Sequence, residues 1–254
     1  INLPLIVYWM IVADFRFKIN DKIALHALRN NCHYIDIGGY GILRDLLKPY
    51  EKSIEAQKLC FIIGVGWMPG ISGVFSKTII ETHLNSPENT NFNIYYGAVD
   101  NWSYSSTYDL AASSMGKTRS YVYSHGKEIQ VSPFRYTHHK FFPFIGHKKI
   151  CMPSFDEQLT QLATSLKQIR KISTFIMLND YISMGKFMFI KIFYKHNLNK
   201  ATLMLQDDYQ RLVKKENKWG SVICQVSKIE PERKIDTFYL SLIHISEPTR
   251  RTPI

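Results

Sequence analysis

The residues that decide the fold of this chain are numbers 20–75, NDKIALHALRNNCHYIDIGGYGILRDLLKPYEKSIEAQKLCFIIGVGWMPGISGVF. The spacing of their apolar side chains predicts helix, strand, glycine turn, helix, strand, glycine turn and helix, in that order. Alternating units of this length are typical of a parallel sheet with right-handed crossovers. Ligands of such sheets bind beyond the carboxyl ends of the strands. We therefore expect the functional site at two glycine-bearing segments, the first corner (residues 36–39) and the second corner (residues 64–70).

Local signals set the limits of these elements. Asn20 and Asp21 are a helix start signal followed by apolar residues at helical spacing. Residues 33–37 predict one strand, and the continuous apolar run at residues 59–63 predicts another that helices cover on both faces. The helix between the strands is interrupted at Pro49. Its apolar face consists of Ile42, Leu43, Leu46 and Leu47.

The remainder of the chain predicts a mixture of helices and strands. The predicted helices cover residues 71–83, 108–115, 154–168 and 199–218, with a cap for the second helix within residues 103–107. The predicted strands cover residues 92–99 and 173–178, with hairpins at residues 120–131 and 222–240. Residues 134–153 are aromatic and interrupted by proline, so we expect an extended crossing loop there. Residues 186–194 are apolar enough for either a helix or a strand.

The composition is that of a globular protein with a basic surface. The 254 residues are 45% hydrophobic and 21% charged, and the formal net charge is +11. The basic residues are scattered, so the charge indicates a generally basic surface and we expect no nucleic-acid partner. The apolar run at residues 5–12 is too short to span a bilayer and lacks the flanks of a signal peptide. We therefore expect a cytoplasmic location without membrane association.

The cysteines are widely spaced and form no CxxC pair, which is typical of free thiols in an intracellular enzyme. They are Cys32, Cys60, Cys151 and Cys224. We expect Cys60 to be buried in its strand. His147 and Cys151 have the spacing of zinc ligands, but the adjacent pair His138 and His139 has poor geometry for a closed site, so we expect no metal.

Both ends of the sequence have the character of artificial boundaries. The chain begins with Ile1 rather than Met, and its first residues already predict a buried strand. Residues 240–250, LSLIHISEPTR, match one reading frame of a transposon-end sequencing adapter. We therefore expect residues 240–254 to be an adapter-derived tail outside the fold. The alternative is a natural C-terminal strand followed by a tail.

Three stretches carry a resemblance to a known family. They are CHYIDIGG (residues 32–39), GVGWMPGISGVF (residues 64–75) and YYGAVDNWSYSSTYDLAASSMGKTRSYVYSHGKEIQVSPF (residues 95–134). The first resembles a HYVD strand with the turn after it. The second resembles a small-Gly-x-x-Pro-Gly-hydrophobic-Ser turn, and the third the strand, Ser/Tyr-rich loop, helix and hairpin that open a second domain. In this pattern the chain is similar to the saccharopine dehydrogenase-like family of NAD(P)-dependent oxidoreductases.

The resemblance implies an α/β fold in two domains. Residues 1–70 would be the C-terminal half of a Rossmann-type nucleotide-binding domain, and residues 71–239 an α+β substrate or dimerisation domain. The family's strand-GxGxxG-helix unit is missing from the sequence, so we expect a truncated piece that alone neither binds a dinucleotide tightly nor turns over. Gly64-x-Gly66-x-x-x-Gly70 imitates that fingerprint. Pro69 removes an N–H donor and Trp67 with Met68 crowds the turn, so we favour a corner that faces nicotinamide and substrate.

The candidate site residues lie in these segments. Asp36 has two open interpretations. In the functional one its carboxylate positions the nicotinamide ribose or a substrate ammonium, and in the structural one it accepts hydrogen bonds from backbone N–H groups of its own turn. The other cofactor-binding candidates are Gly38, Gly39, Gly64 and Gly66. The substrate-binding candidates are Trp67, Met68, Pro69, Gly70, Ser105 and Ser106, of which the two serines are also candidates for a helix cap. Tyr104 and Tyr108 are the candidates for the catalytic proton donor.

The resemblance implies hydride transfer between NAD or NADP and an imine or carbonyl carbon of a small molecule, with an amino-acid-derived imine as one substrate class and a homodimer as one assembly. The alternative is a non-catalytic nucleotide-sensing or partner-binding module on the same scaffold. An intact GxGxxG encoded upstream would favour the enzyme, and a degenerate one would favour the module.

Overall fold

The computed structural model describes residues 16–37, 40–67, 70–83, 89–115, 120–154, 161–164, 166, 169–194, 196–228 and 235–241. The chain divides into two compact units. The first comprises Ile1–Val74 with Asp156–Gln158, and the second comprises Phe75–Phe155 with Leu159–Ile254. In the ranges that the structure describes, no helix has both the length and the apolar character needed to cross a membrane.

The first unit alternates helices and strands. Its elements are α1 (Arg16–Arg29), β1 (Tyr34–Asp36), α2 (Tyr40–Leu47), a 3-10 turn (Lys48–Tyr50), α3 (Glu51–Ala56) and β2 (Phe61–Ile63), followed by the start of α4 (Ile71–His83). β1 and β2 pair in parallel, with Tyr34 opposite Phe61 and Asp36 opposite Ile63. The predicted order and the predicted parallel pairing are therefore confirmed.

The start of the first helix was predicted wrongly. α1 begins at Arg16, so Asn20 lies inside the helix rather than at its cap. The Asn20 side chain is buried and donates a hydrogen bond to Asp36, 2.5 Å away. The side-chain amide of Asn20, which the sequence predicts as a helix cap, therefore makes a tertiary hydrogen bond instead.

The prediction that β2 is covered on both faces is also wrong. Phe61 and Ile63 pack against the core of the first unit, whereas Ile62 is 43% exposed and Cys60 is exposed as well. Successive side chains of a strand point to opposite faces, and the helices that the structure describes in this unit cover one of them. Leu46 on α2 is likewise exposed, contrary to its predicted place on the apolar face. The buried core comprises Ala24, Ala27, Cys32, Tyr34, Leu43 and Leu47.

The second unit is built on an eight-stranded mixed sheet. Its strands are β3 (Thr90–Val99), β4 (Ser120–Ser124), β5 (Lys127–Val131), β6 (His138–Phe142), β7 (His147–Pro153), β8 (Lys171–Leu178), β9 (Trp219–Lys228) and β10 (Ile235–Ser241). The spatial order is β10-β9-β3-β8-β4-β5, and β7, which carries β6 on its other side, pairs with the C-terminal part of β8. β3 and β8 run parallel, and the other pairs are antiparallel.

Besides the rest of α4, the second unit contains the helices α5 (Tyr104–Met115), α6 (Pro133–Tyr136), α7 (Tyr181–Phe193) and α8 (Leu198–Lys215). α7 shows that the apolar segment 186–194, which the sequence left open, is helical. It begins at a cap in which Asp180 accepts a hydrogen bond from the Ser183 backbone N–H at 2.8 Å. Of the predicted helix 154–168, residues 161–164 are helical and most of the others lie outside the described residues.

The predicted extended loop at residues 134–153 is wrong, because most of this segment forms the β6–β7 hairpin. Pro143 falls in the turn between the strands, and Pro153 at the end of β7. Neither proline therefore interrupts a ladder. β7 joins the sheet by pairing with β8, with Ile150 opposite Leu178 and Pro153 opposite Phe175. That partner is distant in sequence and invisible to a local pattern.

The two predicted hairpins are confirmed. The β4–β5 turn has positive φ at His125 (49°) and Gly126 (72°), as a type I′ turn requires. β9 and β10 pair antiparallel, and Ser241 lies opposite Ser221. The first two residues of the predicted tail therefore belong to β10, and residues 242–254 lie outside the described residues.

Candidate functional site

The described parts of the two corners lie at the carboxyl ends of β1 and β2. The Val65 backbone N–H donates to the Asp36 backbone oxygen at 3.0 Å, which ties the second corner to the end of β1. Gly64 is buried and has a φ of 71°, and Gly66 forms a bridge with Gly70. The structure thus brings together Asp36, Gly64, Gly66 and Gly70, whereas Gly38, Gly39, Met68 and Pro69 lie outside the described residues.

The second corner is closed by its own backbone. The Ile71 N–H donates to the Gly66 oxygen at 3.0 Å, and the Ser72 N–H donates to the Trp67 oxygen at 3.1 Å. Gly70 has a φ of 128°, and a Cβ at this position would lie 2.0 Å from the Gly66 oxygen. Only glycine fits here, so the Pro-Gly pair of the sequence serves a close approach of two backbone segments.

Asp36 is a buried carboxylate with side-chain donors in its own unit. The Tyr34 hydroxyl donates to it at 2.6 Å and the Asn20 amide at 2.5 Å. Burial, followed by the hydrogen bond to Asp36, raises the pKa of Tyr34, so this phenol keeps its proton. Asp36 is 4% exposed, and its carboxylate is stabilised by donors that are already present.

The four polar candidates of the second unit lie at the start of α5. Tyr104 donates a hydrogen bond to the Asn199 side-chain oxygen on α8 at 3.1 Å, and its ring centroid is 6.2 Å from that of Tyr108. Burial, then the neighbouring Tyr104 and Asp109, raises the pKa of Tyr108. Tyr108 therefore holds its proton at neutral pH, which suits a proton donor and not a base.

The serines have plainer geometry. Ser103 is the helix cap, because its Oγ accepts from the Ser106 backbone N–H at 3.2 Å. The Ser106 hydroxyl lies 3.0 Å from that same oxygen. The capping that the sequence offered to Ser105 and Ser106 is thus performed by Ser103, and the Ser105 side chain lies outside the described residues.

One face of the second unit's sheet carries a cluster of polar and titratable side chains that the sequence pattern does not predict. Lys140 on β6 donates to the Tyr95 hydroxyl at 3.2 Å and to the side-chain oxygen of Gln225. The ring of His138 packs edge-on against Tyr95, with 6.1 Å between centroids. Cys151 lies on the same face within a shared apolar cluster with Tyr95. The sequence HHKFF of β6 shows no alternation of polar and apolar residues, so its alternating exposure becomes visible only in the structure.

Burial decides the chemistry of the thiols on this sheet. Cys151 and Cys224, the sheet cysteines, are fully buried, and burial raises the pKa of each thiol to about 12. Neither is a nucleophile at neutral pH. Among the described residues, no three His, Cys, Asp or Glu side chains are grouped to hold a metal ion.

A parallel β1–β2 pair with glycine-bearing corners in the first unit, and a mixed eight-stranded sheet with helices in the second, define a mixed α/β fold. The chain resembles the solved structure of apo histidine-tagged saccharopine dehydrogenase (L-Glu forming) from Saccharomyces cerevisiae, with a TM-score of 0.53 and 14% identity. The match covers 87% of this chain and 68% of that one. At this identity the likeness concerns the fold. No family model and no curated protein matches the sequence.

Proposed function

We propose that this chain is part of an NAD(P)-dependent oxidoreductase that transfers hydride to or from an imine or carbonyl carbon. The observation that carries the proposal is the parallel pairing of β1 and β2, since it puts both corners at one end of the sheet. The fold-level likeness to a saccharopine dehydrogenase over 87% of the chain supports the same class. NAD or NADP would be the cofactor of the intact protein.

The residues of the corners fit a planar ring better than a pyrophosphate. The N–H groups of Ile71 and Ser72, which open α4, are already bonded to the backbone of Gly66 and Trp67. They are therefore not available to a phosphate, as the N-terminus of a fingerprint helix would be. Gly64 and Gly66 carry no side chains, so a flat group could approach the backbone closely at these two positions.

When bound, the nicotinamide supplies or accepts the hydride. The residues of this chain would orient the ring and exclude water from it. Gly64 and Gly66 would contact the nicotinamide, and Trp67 would line the substrate side. Tyr108 of the second unit, which keeps its proton at neutral pH, is our candidate for the proton donor, with Tyr104 as its neighbour. The substrate class would be a small carbonyl compound or an amino-acid-derived imine.

Saturation-transfer NMR on the 254-residue chain with NADPH, and separately with NADH, tests the proposal. We expect the nicotinamide protons to receive more saturation than the adenine protons, because the corners are the nicotinamide side of such a site. Trp67→Phe should reduce this transfer, while the matched variant Trp102→Phe, which alters a ring stacked on Tyr209, should not. Stronger transfer to adenine, or equal behaviour of the two variants, would refute the assignment.

A second candidate is a non-catalytic nucleotide-sensing or partner-binding module on the same scaffold. It is favoured because two candidate site residues already form hydrogen bonds within the protein. Asp36 accepts from Tyr34 and Asn20, and Tyr104 donates to Asn199. Single-turnover mixing with NADPH deuterated at C4 distinguishes the two, because only the enzyme transfers deuterium to an imine or carbonyl carbon. Nucleotide binding without such transfer by the protein extended through an intact GxGxxG would support the module.

A further inference from the structure

The sheet of the second unit carries a polar row on one face. Gln225 of β9 lies opposite Thr237 of β10 and Asn93 of β3, and Asn93 lies opposite Ser173 of β8. Residues directly opposite each other point to the same face of a sheet. Thr237, Gln225, Asn93 and Ser173 therefore form a continuous line across four strands, which we call the polar row. The next line of the same face contains Tyr95.

Lys140 extends from the β6–β7 hairpin to this row. Its ammonium donates to the side-chain oxygen of Gln225 and to the Tyr95 hydroxyl, and lies 4.7 Å from the centroid of the Tyr95 ring. All three groups are neutral, and no carboxylate pairs with Lys140 within the described part of the chain. Burial lowers the pKa of Lys140, as expected for a cation without a counter-charge.

Hydrogen-bonding capacity on the same face is unused. The Ser173 hydroxyl is buried, with the residue 2% exposed, and has no partner in the described structure. The Asn93 side chain is half-buried, and no described residue is bonded to its amide. The Tyr95 oxygen accepts from Lys140, which leaves its own hydrogen free to donate, and burial raises the pKa of this phenol so that the hydrogen is retained. A buried hydroxyl without a hydrogen-bond partner is costly, so a ligand oxygen that accepts from it would remove an unfavourable contribution.

We propose that Lys140, Tyr95, Asn93 and Ser173 bind the carboxylate group of a small organic anion on this face of the sheet. One uncompensated ammonium matches one negative charge, and the phenol, amide and hydroxyl supply neutral donors to two carboxylate oxygens. A doubly charged phosphate would call for a second cation. Of the other lysines on this face, Lys149 is paired with Glu216 at 2.8 Å, and the ammonium of Lys171 lies over the Tyr136 ring, 5.0 Å from its centroid.

This site lies within the second unit and does not depend on hydride transfer. Its test is therefore independent of the nucleotide experiments, and failure of either leaves the other standing.

Succinate binding to the 254-residue chain, measured by calorimetry at constant ionic strength, tests the site. Gln225→Glu keeps the size of the side chain and gives Lys140 an internal carboxylate, so we expect binding about tenfold weaker. Gln130→Glu is the matched control, because Gln130 is exposed on β5 and the change in net charge is the same. Lys140→Met should weaken binding at least as much, and Lys148→Met, at an exposed position of β7, should leave it unchanged.

Stability separates loss of the site from loss of the fold. Gln225→Glu should raise the urea midpoint, because the new carboxylate pairs with a half-buried ammonium, even as it weakens succinate binding about tenfold. The proposal is overturned if Gln225→Glu binds succinate within twofold of the unaltered chain, or if Gln130→Glu weakens binding equally. Tighter binding of phosphate than of succinate under the same conditions would also overturn it. If Lys140→Met does not fold, Gln225→Glu with its control still decides the matter.

Discussion

Replacement of Gly70 by alanine should open the second corner and destabilise the first unit. Two structural features act together at this position. Gly70 has a φ of 128°, and an added Cβ would lie 2.0 Å from the Gly66 carbonyl oxygen. A carbon and an oxygen in contact lie about 3.3 Å apart, so the backbone segments at Gly66 and Gly70 must separate by about 1.3 Å. That displacement exceeds what the hydrogen bonds across the corner tolerate.

The cost follows from what is lost. Two backbone bonds close the corner, from Ile71 to Gly66 at 3.0 Å and from Ser72 to Trp67 at 3.1 Å. Each contributes about 1 kcal/mol to the free energy of unfolding. The unfavourable φ adds about 1–3 kcal/mol for a residue with a Cβ. We therefore expect Gly70→Ala to lower the stability of the first unit by about 3–5 kcal/mol, a large share of the total for a domain.

Two other glycines separate the two causes. Gly146 also has a positive φ, 77°, but no atom lies within 4 Å of its added Cβ, so Gly146→Ala should cost only about 1–2 kcal/mol. Gly185 lies inside α7 with an equally open surrounding, so Gly185→Ala should stabilise by about 0.5–1 kcal/mol. Urea unfolding measures the totals, and hydrogen exchange at the Ile71 and Ser72 amides reports on the corner itself. Unchanged exchange at these amides in Gly70→Ala, or a cost no larger than that of Gly146→Ala, would refute the steric argument.

Three further predictions concern charges and thiols. Burial alone would raise the pKa of Asp180, but hydrogen bonds from Arg211 lower it to about 2. The pair therefore stabilises the fold at pH values above the ordinary carboxyl pKa, and this contribution is lost as the pH falls toward 2. Asp180→Asn should thus cost about 1–2 kcal/mol at pH 7, and the difference from the unaltered chain should vanish between about pH 4 and pH 2 in urea titrations. Lys149→Met should lower the free energy of unfolding by about 1–3 kcal/mol, because the Lys149 side chain is 1% exposed and pairs with Glu216. A double-mutant cycle with Glu216→Gln should show a coupling energy of about 1 kcal/mol, and additive effects of the two substitutions would contradict the ion pair. Thiol labelling should modify Cys60 rapidly and the sheet cysteines only on unfolding, so a fast phase that persists in Cys60→Ser would count against the described burial.

The local sequence pattern predicts the turns of the two corners but not the side-chain partners of Asp36. Glycines after two short β-rich segments predicted turns at the ends of parallel strands, and the structure pairs β1 with β2 in parallel. The Pro-Gly element predicted a tight turn, and Gly70 does allow a backbone approach that a Cβ would block. The occupation of Asp36 by Tyr34 and Asn20 was not predicted, because it joins a helix to a strand through side chains.

The Lys140 cluster could not be found in the sequence. Lys140, Tyr95 and Gln225 belong to β6, β3 and β9, and separations of 45 and 85 residues divide Lys140 from its two partners. Residues 134–153 carried aromatic residues and prolines that are as typical of a loop as of a hairpin. Only the pairing of β7 with β8 makes the segment a pair of strands.

By itself, the sequence determined the alternation of helices and strands in the first unit, the hairpin turns and the glycine-bearing corners. Those features depend on backbone conformations and apolar spacings set by neighbouring residues. Tertiary structure alone decided which faces are covered, which strand β7 joins, and that Lys140 meets neutral groups and no carboxylate among the described residues. These properties depend on contacts between residues far apart in the chain, whose free energy no local pattern records.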